Sequence, residues 1–189
     1  MLTRHIILLI VQGGLLLFEL FAPYDSLSRR IALMITNVVP LIAVIVIERR
    51  HRRRGWPLFP VTALWCTFGA VWLDALGNFF GWYGRWWWWD HLTHGLGTGA
   101  IAVLAGSLLS VRPGIVWTKR WLLMVALLIS QTIAAWYEVS EYLGDLAFGT
   151  QRVGPGLDTA RDLWFNLLGG LLGLILLRHG LWRKNRKVV

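Results

Sequence analysis

The sequence predicts an all-α protein, a polytopic bundle of about six transmembrane helices. Hydrophobic residues make up 56% of the chain and charged residues only 15%, whereas soluble domains carry about 25% charged residues. The apolar residues form blocks of about 20 residues, which as helices match the hydrocarbon core of a bilayer. We therefore expect a single transmembrane domain over residues 1–189, with helices at about 5–21, 31–48, 57–80, 90–111, 121–142 and 159–178.

The blocks differ in how they begin and how they are joined. We interpret the first as a retained helix instead of a signal peptide, because it contains Glu19 and lacks a small-residue cleavage site. The fourth and sixth blocks begin with polar residues, and the connections are short except for the glycine-rich stretch 144–157. The single cysteine, Cys66, excludes a disulfide within the chain.

Basic residues determine the expected orientation. If the N-terminus is cytoplasmic, fourteen of the nineteen Lys and Arg residues fall on the inner side, as the positive-inside rule requires. We therefore expect a multi-pass protein of the bacterial inner membrane with both termini in the cytoplasm. The net charge of +9 then reflects contacts with anionic lipid headgroups and not with nucleic acid. Five arginines are expected on the outer side: Arg29, Arg30, Arg85, Arg152 and Arg161.

Tryptophans and glycines mark the expected surfaces of the bundle. Trp82 and the run Trp86 to Trp89 fall at the outer end of the third and fourth helices. An interfacial belt is the simpler interpretation of this run, and a stacking platform for a ligand is the alternative. Glycines four residues apart let transmembrane helices approach closely. We interpret three such pairs as helix-packing sites: Gly77 and Gly81, Gly95 and Gly99, and Gly169 and Gly173.

Nine of the ten acidic residues fall in the outer half of the expected topology, and only Glu48 lies on the inner side. Several recur every three or four residues with Asn or His, so each set shares one helix face. A carboxylate at the bilayer centre is unfavourable by about 2.5–3.5 kcal/mol, so these faces should turn inward and meet. The four sets are Asp74 and Asn78; Asp90 and His94; Glu138, Glu141 and Asp145; and Asp158, Asp162 and Asn166.

Carboxylates that are packed together need protons, a bound cation, or arginine partners, here Arg85, Arg152 or Arg161. Carboxylates with one histidine and Asn carbonyls favour a divalent metal ion, namely Mg²⁺, Mn²⁺, Ca²⁺ or Zn²⁺. We expect His94 to be the only histidine within a transmembrane segment, so the Glu-x-x-His pattern of di-iron bundles is not met. The alternative is a purely structural cluster. The expected metal ligands are Asp90, His94, Glu138, Asp158 and Asp162.

Two functions are compatible with such a site. The first is a metal-dependent enzyme at the outer leaflet that acts on a lipid or lipid-linked substrate, with Glu138 or Glu141 as general base. The second is a non-enzymatic accessory or binding subunit of a larger membrane complex. An ion or proton pathway is disfavoured because the inner halves of the helices, such as 101–109 and 171–177, are apolar. Substrate contacts are expected from Asp74, Asn78, Arg152, Arg161 and Asn166.

An internal repeat is expected, in which the third and fourth helices form one hairpin and the fifth and sixth form its copy. Each copy would offer acidic ligands at its outer end and so build a pseudo-symmetric site. The matching segments are Trp72-Leu-Asp74 with Asp90-x-x-x-His94, and Trp136-Tyr-Glu138 with Asp158-x-x-x-Asp162.

The candidate site is built on four short segments: Asp90-His91-Leu-Thr-His94-Gly, Tyr137-Glu138-Val-Ser-Glu141, Gly149-Thr150-Gln151 and Asp158-Thr159-Ala-Arg-Asp162. These segments resemble the YjdF-like family of small bacterial inner-membrane proteins and, more distantly, the VanZ-like membrane proteins. The resemblance covers roughly residues 60–178. It supports the site without naming a reaction.

Overall fold

The computed structural model describes residues 2–24, 26–112 and 114–184, with side chains described over 5–24, 26–112 and 114–179. Within these ranges the fold is all-α, with seven helices and no strands. The six apolar blocks correspond to six long helices, and one additional short helix lies between the third and fourth of them. The helices are α1 (Leu2–Phe21), α2 (Leu27–Arg53), α3 (Val61–Phe79), α4 (Trp82–Arg85), α5 (Trp89–Ser110), α6 (Lys119–Phe148) and α7 (Asp158–Lys184).

Four of the described helices are long and apolar enough to cross a membrane: α2, α5, α6 and, over Asp158–His179, α7. The first helix is apolar over His5–Phe21 but shorter. The third has sufficient length, but Asp74 and Asn78 lower its mean hydropathy, so it is not among the four. The chain is therefore a membrane protein with four candidate spans, two fewer than the expected six.

The ends of the long helices follow from local sequence. The Ser26 side chain accepts a hydrogen bond from the Arg29 N–H at 3.2 Å and caps α2. The Thr118 side chain caps α6 in the same way, through the Trp121 N–H. Gly149 ends α6 with a φ of 63°, a left-handed conformation that glycine adopts without steric cost.

The fifth helix is the centre of the bundle. It packs most extensively against α7 and also against α6 and α3, while α1 and α2 pair with each other and lean on α3. Apolar side chains form clusters in the interior of the bundle. One cluster is formed by Val44, Phe59, Leu64 and Phe68, and another by Leu122, Ala126 and Leu177.

Glycines allow α5 and α7 to touch backbone to backbone. A Cβ built on Gly169 would overlap the carbonyl oxygen of Gly95, and one on Gly173 would overlap that of Gly99. A Cβ on Gly99 would lie 2.8 Å from the Gly169 carbonyl oxygen. The predicted packing role of these two glycine pairs is confirmed.

The two glycines of the third pair, Gly77 and Gly81, have different roles in the structure. Gly77 lies under the indole of Trp89, where an added Cβ would overlap the ring. Gly81 has a φ of 69° and forms the turn between α3 and α4. The packing interpretation is therefore confirmed for Gly77, which contacts Trp89 of α5, and wrong for Gly81, because α3 ends at Phe79.

The glycine contact predicts a position-specific effect of alanine. Gly169→Ala should destabilise the protein by about 1–3 kcal/mol, because the overpacked methyl group meets backbone that cannot rotate away. Gly97→Ala is the matched control, because it lies on α5 with nothing within 4 Å of its would-be Cβ. Thermal unfolding of the detergent-purified variants measures both. Equal melting temperatures would contradict the close approach of α5 and α7.

Candidate functional site

The acidic ends of three helices meet at one end of the bundle. The fifth and seventh helices begin there and the sixth ends there, which brings Asp90, His91 and His94 of α5 beside α6 and α7. Potential ligand atoms in each of three overlapping groups lie within 4.8 Å of one another. The groups are Asp90, His94 and Asp162; His91, Asp158 and Asp162; and His94, Glu138 and Glu141.

His94 lies between two carboxylates. Its Nδ1 is 3.1 Å from Glu138 Oε1 and its Nε2 is 3.6 Å from Asp90 Oδ1. The side chains of His94 and Glu138 are buried, whereas that of Asp90 is 37% exposed. The expected spacing of Asp90 and His94 on one helix face is therefore observed, and Asp90 leaves the pair open to the outside.

Glu138 contributes a buried oxygen without a hydrogen bond. Its Oε1 has no hydrogen-bond partner among the described residues. The neighbouring Nδ1 of His94 is close enough for an ion pair but does not meet hydrogen-bond geometry. A buried acceptor that is left unpaired carries its full desolvation penalty of about 1–3 kcal/mol, and more when charged. The 3.1 Å contact with His94 is therefore the interaction recorded for this oxygen among the described residues.

His91 is a site residue that the sequence interpretation missed. It is only 2% exposed, its Nδ1 lies 2.6 Å from Asp162 Oδ1, and its ring stacks on Phe165. Because it lies within the candidate span of α5, the expectation that His94 is the only transmembrane histidine was wrong. The i, i+4 spacing of Asp90 and His94 hid it, since His91 turns about 100° away, toward α7.

Asp158 and Asp162 occupy the first turns of α7, as expected. Asp162 belongs to two of the three groups and joins the His91 pair to the His94 pair. Asp158 belongs to the His91 group, and one of its oxygens accepts a hydrogen bond from the Gly154 N–H at 3.0 Å. Of the five expected metal ligands, Asp90, Glu138 and Asp162 share a group with His94, whereas Asp158 shares one with His91 and Asp162.

The three arginines that the sequence offered as partners do not neutralise the cluster. Arg85, Arg152 and Arg161 are exposed, and none forms an ion pair with these carboxylates in the described part of the chain. The cluster's described ion pairs all involve histidine. The Arg152 charge reaches Glu141 only at longer range. Among the described residues, arginine therefore does not supply the positive charge that the packed carboxylates were expected to need.

The loop between α6 and α7 is held by Asp145. Its carboxylate accepts hydrogen bonds from the Thr150 hydroxyl at 2.5 Å and from the backbone N–H groups of Arg152 and Val153 at 2.9 Å each. With Asp158 bonded to Gly154, both ends of the loop are tied to their helices. Asp145 therefore positions the loop and does not belong to any of the three groups.

Asp74 and Asn78 form a separate pair beside the cluster. The Tyr83 hydroxyl donates to Asp74 Oδ1 at 2.5 Å, and the Asn78 amide donates to the same oxygen at 3.0 Å. The Tyr83 oxygen also lies 3.1 Å from the Thr93 hydroxyl of α5. Burial and the neighbouring Asp74 carboxylate raise the pKa of Tyr83 well above its usual value, so its hydroxyl stays a neutral donor.

Asn166 lies deeper, in the contact between α5 and α7. Its Oδ1 accepts a hydrogen bond from the Thr98 hydroxyl at 2.7 Å, and its backbone carbonyl accepts one from the Gln131 amide at 3.1 Å. The five expected substrate contacts thus occupy three places: α3, the exposed outer surface, and the α5–α7 contact. Their role in substrate binding stays a prediction.

The tryptophan run packs mainly against itself. The rings of Trp86 and Trp88 stack 5.4 Å apart at an interplanar angle of 5°, and Trp82 stacks on Trp86 at 5.3 Å. Trp89 is buried over Gly77, whereas Trp87 is the most exposed of the run. These stacked rings cover the end of α3 and the start of α5, next to the acidic cluster.

A family model described as "Predicted membrane protein (DUF2238)" matches residues 4–183. The matched range includes every helix of the candidate site. No curated protein and no solved structure matches the sequence. The match supports a membrane protein family and leaves the YjdF-like and VanZ-like resemblances untested.

The hydrogen bond from Tyr83 to Asp74 predicts a structural cost. Tyr83→Phe should destabilise the protein by about 1–3 kcal/mol, because it removes a donor from a buried carboxylate. Tyr142→Phe, at an exposed position of α6, should change stability by less than about 0.5 kcal/mol. Chemical or thermal unfolding in detergent compares the two. A larger loss for Tyr142→Phe would show that Asp74 does not depend on Tyr83.

Proposed function

The chain belongs to the DUF2238 family of predicted membrane proteins, and we propose that it holds a divalent metal ion at the outer ends of α5, α6 and α7. The observation that carries the proposal is the buried Oε1 of Glu138, which has no hydrogen-bond partner beside His94. A cation bound by His94, Glu138 and their neighbours would give this oxygen a positively charged partner. Asp90, Asp162 and Glu141 supply the remaining oxygens within reach.

The donor set favours particular ions. One imidazole with several carboxylates suits Zn²⁺ or Mn²⁺, and the carboxylates alone suit Mg²⁺ or Ca²⁺. His91 already has its Nδ1 at 2.6 Å from Asp162 Oδ1, and a hydrogen bond of this kind orients a carboxylate toward a metal ion. We therefore assign direct ligation to His94 and Glu138 first, with Asp90 and Asp162 completing the set.

The proposed activity is metal-dependent chemistry on a lipid or lipid-linked substrate at the outer leaflet. A bound ion would supply a Lewis acid that polarises a phosphoryl or carbonyl oxygen. Glu141 lies one helical turn further out than Glu138 and is partly exposed, so it is the better placed of the two to take a proton as general base. Asp90, at 37% exposure, leaves the cluster accessible from outside.

The surface of α6 next to the cluster supports a lipid substrate. Trp136, Tyr137 and Tyr142 are exposed large aromatic side chains on this helix, and the Tyr137 ring meets the His94 ring edge-on at 5.5 Å. Aromatic side chains of this kind favour the headgroup level of a bilayer. A lipid headgroup that approached along α6 would reach the cluster without crossing an aqueous channel.

Metal content tests the proposal directly. Elemental analysis of detergent-purified protein should find about one divalent ion per chain, and Glu138→Gln or Asp162→Asn should lower the content at least tenfold, because each removes a charged ligand. Asp74→Asn is the matched control, since it neutralises a nearby carboxylate outside the three groups. The control should keep its metal.

Two results would overturn the metal proposal. One is wild-type protein that is stable and metal-free after purification without chelator and after dialysis against each candidate ion. The other is equal metal loss in Asp74→Asn and Glu138→Gln. If metal-free protein instead co-purifies with a stoichiometric membrane partner, the accessory-subunit alternative is favoured.

The activity also requires the cluster to face outward, so we propose an inner-membrane topology with both termini cytoplasmic. The bias of Lys and Arg toward one side supports it. In a Cys66→Ser background, a membrane-impermeant thiol reagent should label Gln151→Cys in intact cells. Val116→Cys, at a loop position that is 99% exposed, should be labelled only after lysis. The reverse pattern would place the cluster in the cytoplasm.

A further inference from the structure

A second buried polar cluster lies between α1, α2 and α3, outside the candidate metal groups. Gln12, Glu19 and Asn37 are fully buried, and Trp72 reaches into the same contact from α3. The proposed function uses none of these residues. Polar side chains within a transmembrane bundle are unfavourable unless partnered, and they often mark functional sites.

Hydrogen bonds fix the orientation of two amide groups. The indole N–H of Trp72 donates to Gln12 Oε1 at 2.7 Å, and an indole can only donate. The Asn37 Nδ2 donates to the Gln12 backbone carbonyl at 3.1 Å and to Glu19 Oε2 at 3.3 Å. Flipping either amide would set oxygen against oxygen or N–H against N–H, so both orientations are determined by their partners.

With both amide orientations fixed, Glu19 and Asn37 each keep one oxygen that accepts no hydrogen bond. Glu19 Oε1 and Asn37 Oδ1 both lack a hydrogen-bond partner among the described residues. The second polar atom of each side chain already links the two residues, because Asn37 Nδ2 donates to Glu19 Oε2. The buried Gln12 Nε2 and the Tyr24 hydroxyl also lack partners but hydrogen-bond to neither oxygen. What the pair lacks is therefore a donor of its own, and a single proton on the carboxyl group would supply one.

The surroundings disfavour a negative charge on Glu19. No described Lys, Arg or His lies within ion-pair distance of it. Asp74 on α3 adds a like charge. The Arg30 Nη2 donates to the Ala22 carbonyl at 3.0 Å, while its buried Nε has no hydrogen-bond partner among the described residues. Burial is the largest of the effects that raise the pKa of Tyr24 to about 12, so this phenol brings no charge. An ionised Glu19 would therefore be a buried and unpaired carboxylate.

We propose that Glu19 is a proton-binding site, in which the neutral carboxyl group and the Asn37 amide form a cyclic pair that joins α1 to α2. The acid O–H at Oε1 donates to Asn37 Oδ1, and Asn37 Nδ2 donates to Glu19 Oε2. The ligand is one proton, taken up from water. This site is separate from the metal groups, and its existence does not depend on the proposed function.

Substitutions distinguish the neutral pair from an ionised Glu19. Glu19→Gln should leave the melting temperature nearly unchanged, because the new amide N–H donates to Asn37 Oδ1 just as the acid O–H does. Glu19→Leu should lower it by several degrees, since Asn37 then loses both bonds to the acid. A loss in Glu19→Gln as large as in Glu19→Leu would overturn the proposal.

A chemical probe tests the wild-type protein without any substitution. Dicyclohexylcarbodiimide adds the O–H of a protonated carboxyl group across its C=N bond and rearranges to a stable N-acylurea, with no leaving group. Peptide mass spectrometry should find the adduct on Glu19 at neutral pH, and labelling should fall as the pH is raised. Glu48, which is also fully buried but lies 2.7 Å from His5 Nε2, is the internal control and should stay unlabelled.

The two measurements settle the charge state even where a variant folds poorly. If Glu19 resists the reagent at neutral pH while detergent-denatured protein reacts at acidic pH, Glu19 is ionised in the folded protein and the proposal fails. A melting temperature that rises with Na⁺ or K⁺ in wild type but not in Glu19→Gln would overturn it as well, since a cation would then replace the proton.

Discussion

The contact between α5 and α7 determines where the chemistry of this protein can lie. Glycines at 95, 99, 169 and 173 remove the side chains that would otherwise hold the two helices apart, and small residues are what permits such approach in lipid. Because both helices begin at the same end of the bundle, their first turns lie side by side. The His91–Asp162 and Thr98–Asn166 hydrogen bonds then join the helices at successive levels. A larger residue in the contact would push α5 and α7 apart, and with them the acidic side chains of their first turns.

The third helix lies between two polar clusters, and its side chains form hydrogen bonds on both sides. Trp72 points its N–H to Gln12 on the α1 side, whereas Asp74 bonds Tyr83, which lies next to Thr93 of α5. Both polar clusters lie toward the same end of the bundle. Apolar side chains such as Val44 and Phe68 pack toward the other end, where the buried Glu48 pairs with His5.

Periodicity within one helix was predictable from the sequence, and contacts between helices were not. The i, i+4 spacing placed Asp90 beside His94, and the glycine spacing identified the faces of α5 and α7 that touch. His91 was missed because its partner, Asp162, lies 71 positions away on another helix. The Glu19–Asn37 pair was missed for the same reason, since each appears alone in an apolar block. The metal-binding, substrate-binding and catalytic roles, and the internal repeat, stay predictions because neither the geometry nor the family match tests them.

The charges within the acidic cluster argue for more than a histidine counterion. A neutral imidazole has one N–H, yet both ring nitrogens of His94 lie near carboxylate oxygens, those of Glu138 and Asp90. Protonating the ring would satisfy both contacts and supply one positive charge. The three groups, however, contain five carboxylates and only two imidazoles, so charging both rings would still leave three negative charges in excess. Part of that excess faces water at Asp90, but Glu138 and Asp162 are buried. Two further protons would neutralise these carboxyl groups. A divalent ion bound through His94 would instead take the place of a proton on that ring, neutralise the same two carboxylates and contact Glu138 Oε1. The proposed metal site and a fully protonated site therefore differ in metal content, which elemental analysis measures.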